Sequence, residues 1–178
     1  MIDYGKIDAA ETYYKRAGFV RIESPWVVSK ATSAITKPPE RQDNELVHNG
    51  KVLVASGEQS FLYLYLKRFL PAGTYQTTTP CFRRENFDFL HSKYFMKTEL
   101  IDTLHPDPEQ LEYIIDVCLW FFKRYIPTAE VVSTENGYDI VANGMELGSY
   151  GLRQCAYLDW IYATGVAEPR LSRVMGAI

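Results

Sequence analysis

The sequence has little of what marks several large protein classes. It holds three cysteines, Cys81, Cys118 and Cys155, which are far apart and form no CxxC pair. This pattern argues against a disulfide framework or a cysteine zinc site and is typical of thiols in a reducing compartment. No apolar run reaches the length of a membrane span, and no signal-peptide core follows Met1. We therefore expect a cytoplasmic protein without a membrane partner.

The chain also lacks a large excess of charge of one sign. Nineteen Lys and Arg residues against 22 Asp and Glu residues give a net charge of -3 at pH 7. This balance argues against a purely electrostatic nucleic-acid binder, although a local basic patch stays compatible with it. The 178 residues are 47% hydrophobic and 23% charged, which is typical of a folded chain. This length predicts a single domain over residues 1–178.

Periodicity and turn residues predict helices that alternate with hairpin-linked strands. Helices are expected over residues 6–17, 58–70 and 109–125, and strands over residues 19–28, 51–55, 74–84, 94–101, 130–133, 138–143 and 145–153. Residues 31–49 are expected to form a mobile loop, and residues 163–178 a strand followed by a helix. Consecutive strands joined by hairpins favour an α+β fold, with a largely antiparallel sheet flanked by helices.

The most informative segment is the hairpin of residues 74–84 and 94–101. Arg83 and Glu85 are two positions apart and share one face of the first strand, while Phe95 stands on the returning strand. An arginine, a carboxylate and an aromatic ring in this arrangement can hold a phosphate, a purine edge and a purine face. An ordinary hairpin with a cross-strand ion pair has the same composition, so the hairpin alone leaves both interpretations open.

Three segments together resemble the signature motifs of class II aminoacyl-tRNA synthetases. Residues 13–25, YYKRAGFVRIESP, resemble the helix, Gly-Phe, strand and proline of the first motif. That motif builds the dimer interface in the family, so the resemblance implies a homodimer with Pro25 at its interface. Residues 82–95 match the pattern F-R-x-E, loop, H/R-x-x-x-F of the second motif, and residues 165–173 resemble the third.

A fourth segment is closest to the aspartyl/asparaginyl subgroup of that family. Residues 138–148, YDIVANGMELG, followed by Arg153, resemble the subgroup's run Y-D-x-V-x-N-G-x-E-x-G-x-x-x-x-R. The four segments follow one another in the family's order and cover nearly the whole chain. Because they match the catalytic core only, we expect no anticodon-binding module before Met1 or after Ile178.

The resemblance implies ATP-dependent activation of an amino acid, with transfer to tRNA or another acceptor as a further step. The amino-acid carboxylate attacks the α-phosphate of ATP, and pyrophosphate leaves. Arg83 would bridge the α-phosphate and the carboxylate, which suits its bidentate and permanently charged fork. Glu85 would accept a hydrogen bond from the adenine amino group, and Phe95 would lie against the adenine ring.

The other implied contacts lie further along the chain. His91 would reach the γ-phosphate, and Arg173 would either lie on the side of adenine opposite Phe95 or reach the γ-phosphate. Glu146 with Asp139 would hold Mg²⁺, a hard cation that prefers oxygen ligands. The implied contacts to the amino acid are Gln59, Glu99 and Arg153. Three of these residues also have ordinary explanations: His91 as a solvated loop residue, Asp139 as a residue that bonds its own turn, and Arg153 as a surface arginine.

Two departures from the subgroup bear on the substrate and on ATP. Residues 56–62 lack the subgroup's substrate-binding lysine, which argues against aspartate and leaves asparagine or another amino acid open. Where the third motif carries several glycines, this chain has Gly165 and then Glu168-Pro169-Arg170. Arg170 and Arg173 therefore compete for the ATP contact, and the spacing from Gly165 favours Arg173.

Two functions follow from these observations. The first is a minimal ATP- and Mg²⁺-dependent enzyme that activates an amino acid. The second is a non-catalytic paralog that keeps the fold and the dimer surface and binds a regulator, RNA or a partner protein. A ligase for carrier proteins or small molecules on the same core is a third alternative, but the metal-binding cysteine set of one such branch is absent.

Overall fold

The computed structural model describes residues 1–39, 41, 48–84, 88–89 and 92–176. The helices are α1 (Tyr4–Arg16), α2 (Lys30–Thr36), α3 (Gly57–Leu66), α4 (Pro108–Lys123) and α5 (Arg170–Gly176), with a 3-10 turn at His48–Gly50. The strands are β1 (Val20–Arg21), β2 (Val27–Ser29), β3 (Lys51–Leu53), β4 (Thr74–Phe82), β5 (Tyr94–Asp102), β6 (Glu130–Thr134), β7 (Gly137–Ala142), β8 (Met145–Cys155) and β9 (Leu158–Glu168).

A single large sheet organises the described part of the chain. Its seven strands follow the order β1-β4-β5-β9-β8-β7-β6, and β2 and β3 form a separate antiparallel ribbon. Every neighbouring pair in the large sheet is antiparallel except β1 and β4. The predicted α+β fold, with a largely antiparallel sheet flanked by helices, is therefore confirmed.

Helices α1 and α4 contribute to the main hydrophobic core with one face of the sheet. The Asp3 carboxylate caps α1 by accepting hydrogen bonds from the backbone of Gly5 and Lys6. The helix ends before Gly18, whose φ of +97° costs glycine little. The core side chains include Tyr14, Phe19, Ile114, Cys118, Phe121, Tyr150 and Ile161.

Helix α3 packs on the opposite side of the β4–β5 hairpin and forms a second, smaller cluster. Phe61 and Leu62 of α3 are buried in it together with Tyr75, Ile101 and Trp160. This packing places the first turn of α3 directly above the centre of the hairpin, because Gly57 lies against Thr77 and Glu99.

The local predictions agree with the structure in most places and fail in three. The sequence favours a loop over residues 31–49, but α2 occupies Lys30–Thr36 and is capped by the Ser29 hydroxyl. The strand expected over residues 19–28 is two short strands, because Pro25 lacks an N–H and interrupts the ladder. β9 begins at Leu158, five residues before the expected start.

The Asn143-Gly144 turn adopts positive φ values of 51° and 72°, as the predicted hairpin requires. Among the described residues, no helix is long and apolar enough to cross a membrane.

Candidate functional site

A cavity of about 290 Å³ opens on the side of the sheet that faces α3. Strands β4 and β5 form the part of the sheet below the cavity. In their antiparallel register Lys97 lies opposite Thr79 and Phe95 lies opposite Cys81. Among the described residues, its lining includes six basic side chains and three acidic ones. These are Lys37, Arg41, Arg83, Lys97, Arg153 and Arg170, and Glu58, Glu99 and Glu146. This charge balance favours an anionic ligand.

Arg83 and Phe95 lie on the same side of the hairpin and both line the cavity. The guanidinium carbon of Arg83 is 5.0 Å from the centroid of the Phe95 ring. Its Nε donates a hydrogen bond of 3.2 Å to the carbonyl oxygen of Ala55. No described carboxylate forms an ion pair with Arg83. A fixed cation beside an aromatic face is therefore available to a ligand.

Lys97 and Glu99 form a buried ion pair in the cavity. Lys97 Nζ lies 2.7 Å from Glu99 Oε1, and the two side chains are 11% and 3% exposed. The second oxygen of Glu99 accepts a hydrogen bond from the backbone N–H of Glu58. Gly57 makes this approach possible, because a Cβ atom there would lie 3.1 Å from Glu99 Oε2. Lys97 was not among the predicted site residues, although its position between Phe95 and Glu99 places all three on one strand face.

Arg153 is held by a second buried carboxylate, Glu58. Arg153 Nη1 donates a hydrogen bond of 2.6 Å to one oxygen of Glu58, and Trp160 Nε1 donates one of 2.7 Å to the other. The guanidinium also stacks on Tyr162, with 4.1 Å between its carbon and the ring centroid. Burial raises the pKa of Glu58, and the charge of Arg153 opposes that shift. Arg153 is therefore a fixed and partly neutralised cation of the cavity wall.

Gln59 lines the cavity, but its amide is used within the protein. Its Oε1 accepts a hydrogen bond from the backbone of Ala55, and its Nε2 donates to the Ser33 carbonyl oxygen. Glu99 is similarly occupied by Lys97 and by the backbone of Glu58. Both predicted substrate contacts thus lie at the cavity with their polar groups already bonded.

The two predicted magnesium ligands lie close to each other and to Arg170. Glu146 lines the cavity and accepts a hydrogen bond from Arg170. Burial and the neighbouring Glu146 raise the pKa of Asp139, and Arg170 opposes that shift. No group of three or more His, Cys, Asp or Glu side chains in the described ranges is arranged to hold a metal ion. A magnesium ion at Glu146 would therefore need phosphate oxygens as additional ligands.

Of the two competing arginines, the structure brings Arg170 to the cavity and leaves Arg173 outside it. Arg173 donates a hydrogen bond of 3.1 Å to the carbonyl oxygen of Phe89 and lines a separate hollow with Met1 and Tyr94. The spacing argument that favoured Arg173 does not match this placement, because α5 begins at Arg170 directly beside Glu146.

Three further residues are predicted at the site or at the dimer interface. Glu85 and His91 lie outside the described residues. Pro25 is half-buried between β1 and β2, where its carbonyl oxygen accepts a hydrogen bond from Ser60. The side chains of Val20 and Trp26 near it are each 56% exposed. The homodimer through this surface stays a prediction.

No family model matches the chain, and no curated protein matches it by sequence. Two solved structures of pyrrolysyl-tRNA synthetase from Desulfitobacterium hafniense are similar to it. One has a TM-score of 0.78 and 16% identity, over 98% of this chain and 69% of that chain. The other has a TM-score of 0.80 and 17% identity, over 98% of this chain and 67% of that chain.

A third similar structure is seryl-tRNA synthetase from Pyrococcus horikoshii complexed with ATP. It has a TM-score of 0.72 and 15% identity, and the match covers 93% of this chain and 48% of that chain. This chain thus spans about half the length of the seryl enzyme. At such identities the likeness concerns the fold and does not extend to the aspartyl/asparaginyl subgroup. The chain has the fold of a class II aminoacyl-tRNA synthetase catalytic core.

Proposed function

We propose that this protein binds ATP in the cavity and activates an amino acid, or a related carboxylic acid, as its adenylate. The observation that carries the proposal is Arg83, a half-buried cation with no described carboxylate partner beside the Phe95 ring. Adenylation requires little covalent chemistry from the protein. It depends on positioning the two substrates and on neutralising the phosphate charge. A fixed guanidinium in a net basic cavity can supply both.

Arg83 would hold the α-phosphate together with the attacking carboxylate. In this arrangement a carboxylate oxygen forms a bond to the α-phosphorus, and the bond from that phosphorus to the bridging oxygen breaks. The adenine ring would lie against the part of the Phe95 ring that the Arg83 guanidinium does not cover. Glu85 and His91 keep their proposed adenine and phosphate contacts on the resemblance alone. Arg170 would make the phosphate contact that the sequence favoured for Arg173.

Magnesium would supply charge neutralisation on the departing pyrophosphate. Glu146 would hold it first, with Asp139 behind, because burial and the charge of Glu146 raise the pKa of Asp139, and a cation between them would oppose that shift. Glu146 would have to leave Arg170, which would then be free to reach a phosphate oxygen. The seryl enzyme complexed with ATP is a structural neighbour that supports the use of ATP.

The rest of the proposal concerns the acid, the acceptor and the assembly. Arg153, Glu99 and Gln59 would surround the acid, and tRNA is the proposed acceptor. The run at residues 138–153 supports an acid whose side chain resembles that of aspartate or asparagine. The protein would work as one domain and as a homodimer through the surface near Pro25, where Val20 and Trp26 are exposed.

A non-catalytic paralog is the second candidate. The observation in its favour is that Glu58, Glu99 and Glu146 are all bonded to basic side chains of the same cavity. A cavity in which all three described carboxylates are paired internally can persist without a substrate.

Exchange of labelled pyrophosphate into ATP distinguishes the two candidates. We expect the exchange to depend on an added acid and to saturate with it. Measurable ATP binding without exchange for any acid would support the paralog and refute the enzyme.

A further inference from the structure

We infer that the acid activated in this cavity carries no free ammonium group beside its carboxylate, as in a 2-hydroxy acid or an N-acylated amino acid. The inference rests on the proposed adenylation and concerns only the chemical class of the second substrate. It is drawn from the polar groups of the cavity wall, where Glu99 pairs with Lys97, Glu58 pairs with Arg153, and Ser56 lines the same cavity.

The carboxylates that line the cavity within the described part of the chain are already paired. Glu99 is bonded to Lys97 at 2.7 Å, and Glu58 to Arg153 at 2.6 Å. The third lining carboxylate, Glu146, is bonded to Arg170 in this structure and is the proposed magnesium ligand when ATP binds, so a cation occupies it in both states. Each acidic side chain that lines the cavity within the described residues therefore already has a cationic partner.

An incoming ammonium group would meet these partners at close range. To reach Glu99 it would have to share the carboxylate with Lys97, whose side chain is 11% exposed and extends from the middle of β5. Two cations would then share one buried carboxylate, and like charges repel strongly where water is scarce. Arg153 presents the same obstacle at Glu58, since Tyr162 and Glu58 hold its guanidinium in place.

The beginning of α3 favours an oxygen of the ligand. Ser56 occupies the N-cap position, yet its hydroxyl makes no cap hydrogen bond. The residue is 9% exposed, lines the cavity, and its Oγ has no hydrogen-bond partner within the described structure. The N-terminus of a helix carries a partial positive charge. An unsatisfied hydroxyl at the positive end of a ten-residue helix suits an oxygen of the ligand better than an ammonium group.

The chemistry of the reaction does not require an ammonium group. A carboxylate oxygen forms the bond to the α-phosphorus of ATP. The bond between that phosphorus and the bridging oxygen breaks, and pyrophosphate leaves with the electron pair. No proton is transferred. Arg83, which has no described carboxylate partner, remains able to receive the reacting carboxylate.

Pyrophosphate exchange with matched pools of acids tests the inference. The pools are the twenty amino acids, the 2-hydroxy acids with the same side chains, and the N-acetylated amino acids. We expect exchange with one of the two ammonium-free pools to be at least about tenfold faster than with the free amino acids. Faster exchange with the free amino acids overturns the inference and leaves adenylation standing. No exchange with any pool overturns adenylation itself.

Two variants identify the groups responsible. Lys97→Gln removes the cation and keeps a donor for Glu99, and Ser56→Asp adds a carboxylate at a position where aspartate is a good helix cap. Each should shift the ratio of exchange rates at least about tenfold towards free amino acids. Lys67→Gln, at an exposed position beyond α3, is the control and should leave the ratio unchanged. An unchanged ratio in both folded cavity variants would refute the inference.

Discussion

Arg83→Ala is the substitution that most directly tests the proposed site. Among the described residues, the side chain makes one hydrogen bond, from Nε to the Ala55 carbonyl oxygen, and one contact with the Phe95 ring. A net hydrogen bond contributes about 1 kcal/mol and a partly exposed cation–π contact about 0.5–1 kcal/mol. The expected loss of stability is therefore about 1–2 kcal/mol, which lowers Tm by about 2–8 °C in a chain of this size.

The expected loss of activity is much larger. Removing one preorganised donor from a developing anionic centre lowers kcat by about 10²–10³-fold. Since Arg83 is proposed to contact both the α-phosphate and the carboxylate, we expect pyrophosphate exchange to fall by at least that factor. Arg83→Lys keeps the charge but loses the fork, and we expect a loss between those of the native protein and the alanine variant.

The measurement is acid-dependent pyrophosphate exchange, with circular dichroism and thermal unfolding on the same samples. Arg84→Ala is a matched control, because Arg84 is the exposed neighbour of Arg83 in the sequence. We expect that variant to stay within about twofold of the native rate. A folded Arg83→Ala protein with native exchange would refute the assigned role, whatever its Tm.

Four further outcomes are expected. Gly57→Ala should lower exchange, because its Cβ would lie 3.1 Å from Glu99 Oε2. Such overpacking typically lowers the free energy of unfolding by about 1–3 kcal/mol. A variant with native exchange and native stability would contradict this contact. The raised pKa of Glu58 means that the folded state holds this proton more tightly than the unfolded chain. Its contribution to stability is thus present below the unfolded value of about 4.5 and is lost as the pH rises through the folded value. Urea unfolding at several pH values should therefore show a smaller decline for Glu58→Gln than for the native protein, and an equal decline would argue against the shift. Glu146→Gln should raise the magnesium concentration needed for half-maximal exchange, and an unchanged requirement would remove Glu146 from the metal site. Trp26→Lys should convert a dimer into a monomer in sedimentation at micromolar concentration, whereas a native protein that is already monomeric would contradict the dimer.

The β4–β5 hairpin shows what local sequence can predict. Alternation with a period of two is enough to place Arg83, Phe95 and Glu99 on facing strands. The structure brings all three to one cavity. Helix α1 is predicted equally well, because its stop at Gly18 is a local signal.

Helix α2 and the start of β9 were missed for a physical reason. The first lies in a polar segment with Pro38-Pro39 at its end, where local propensity favours a loop. It is helical because Ser29 caps it and because Gln59 of α3 donates a hydrogen bond to the carbonyl oxygen of Ser33. A side-chain bond between two helices is not visible in a window of sequence.

Local sequence is enough to predict the alternation of helices and strands, the hairpin and the residue types of the candidate site, because each depends on neighbours within a few positions. The tertiary structure alone decided which charges meet. Glu58 and Arg153 are 95 positions apart, and they pair because β8 and β9 lie beside the hairpin in the sheet. Long-range strand order also placed Arg170 at the cavity. The energy of a charge pair depends on the distance between the two charges in the folded chain. A pattern of neighbouring residues in the sequence does not contain that distance.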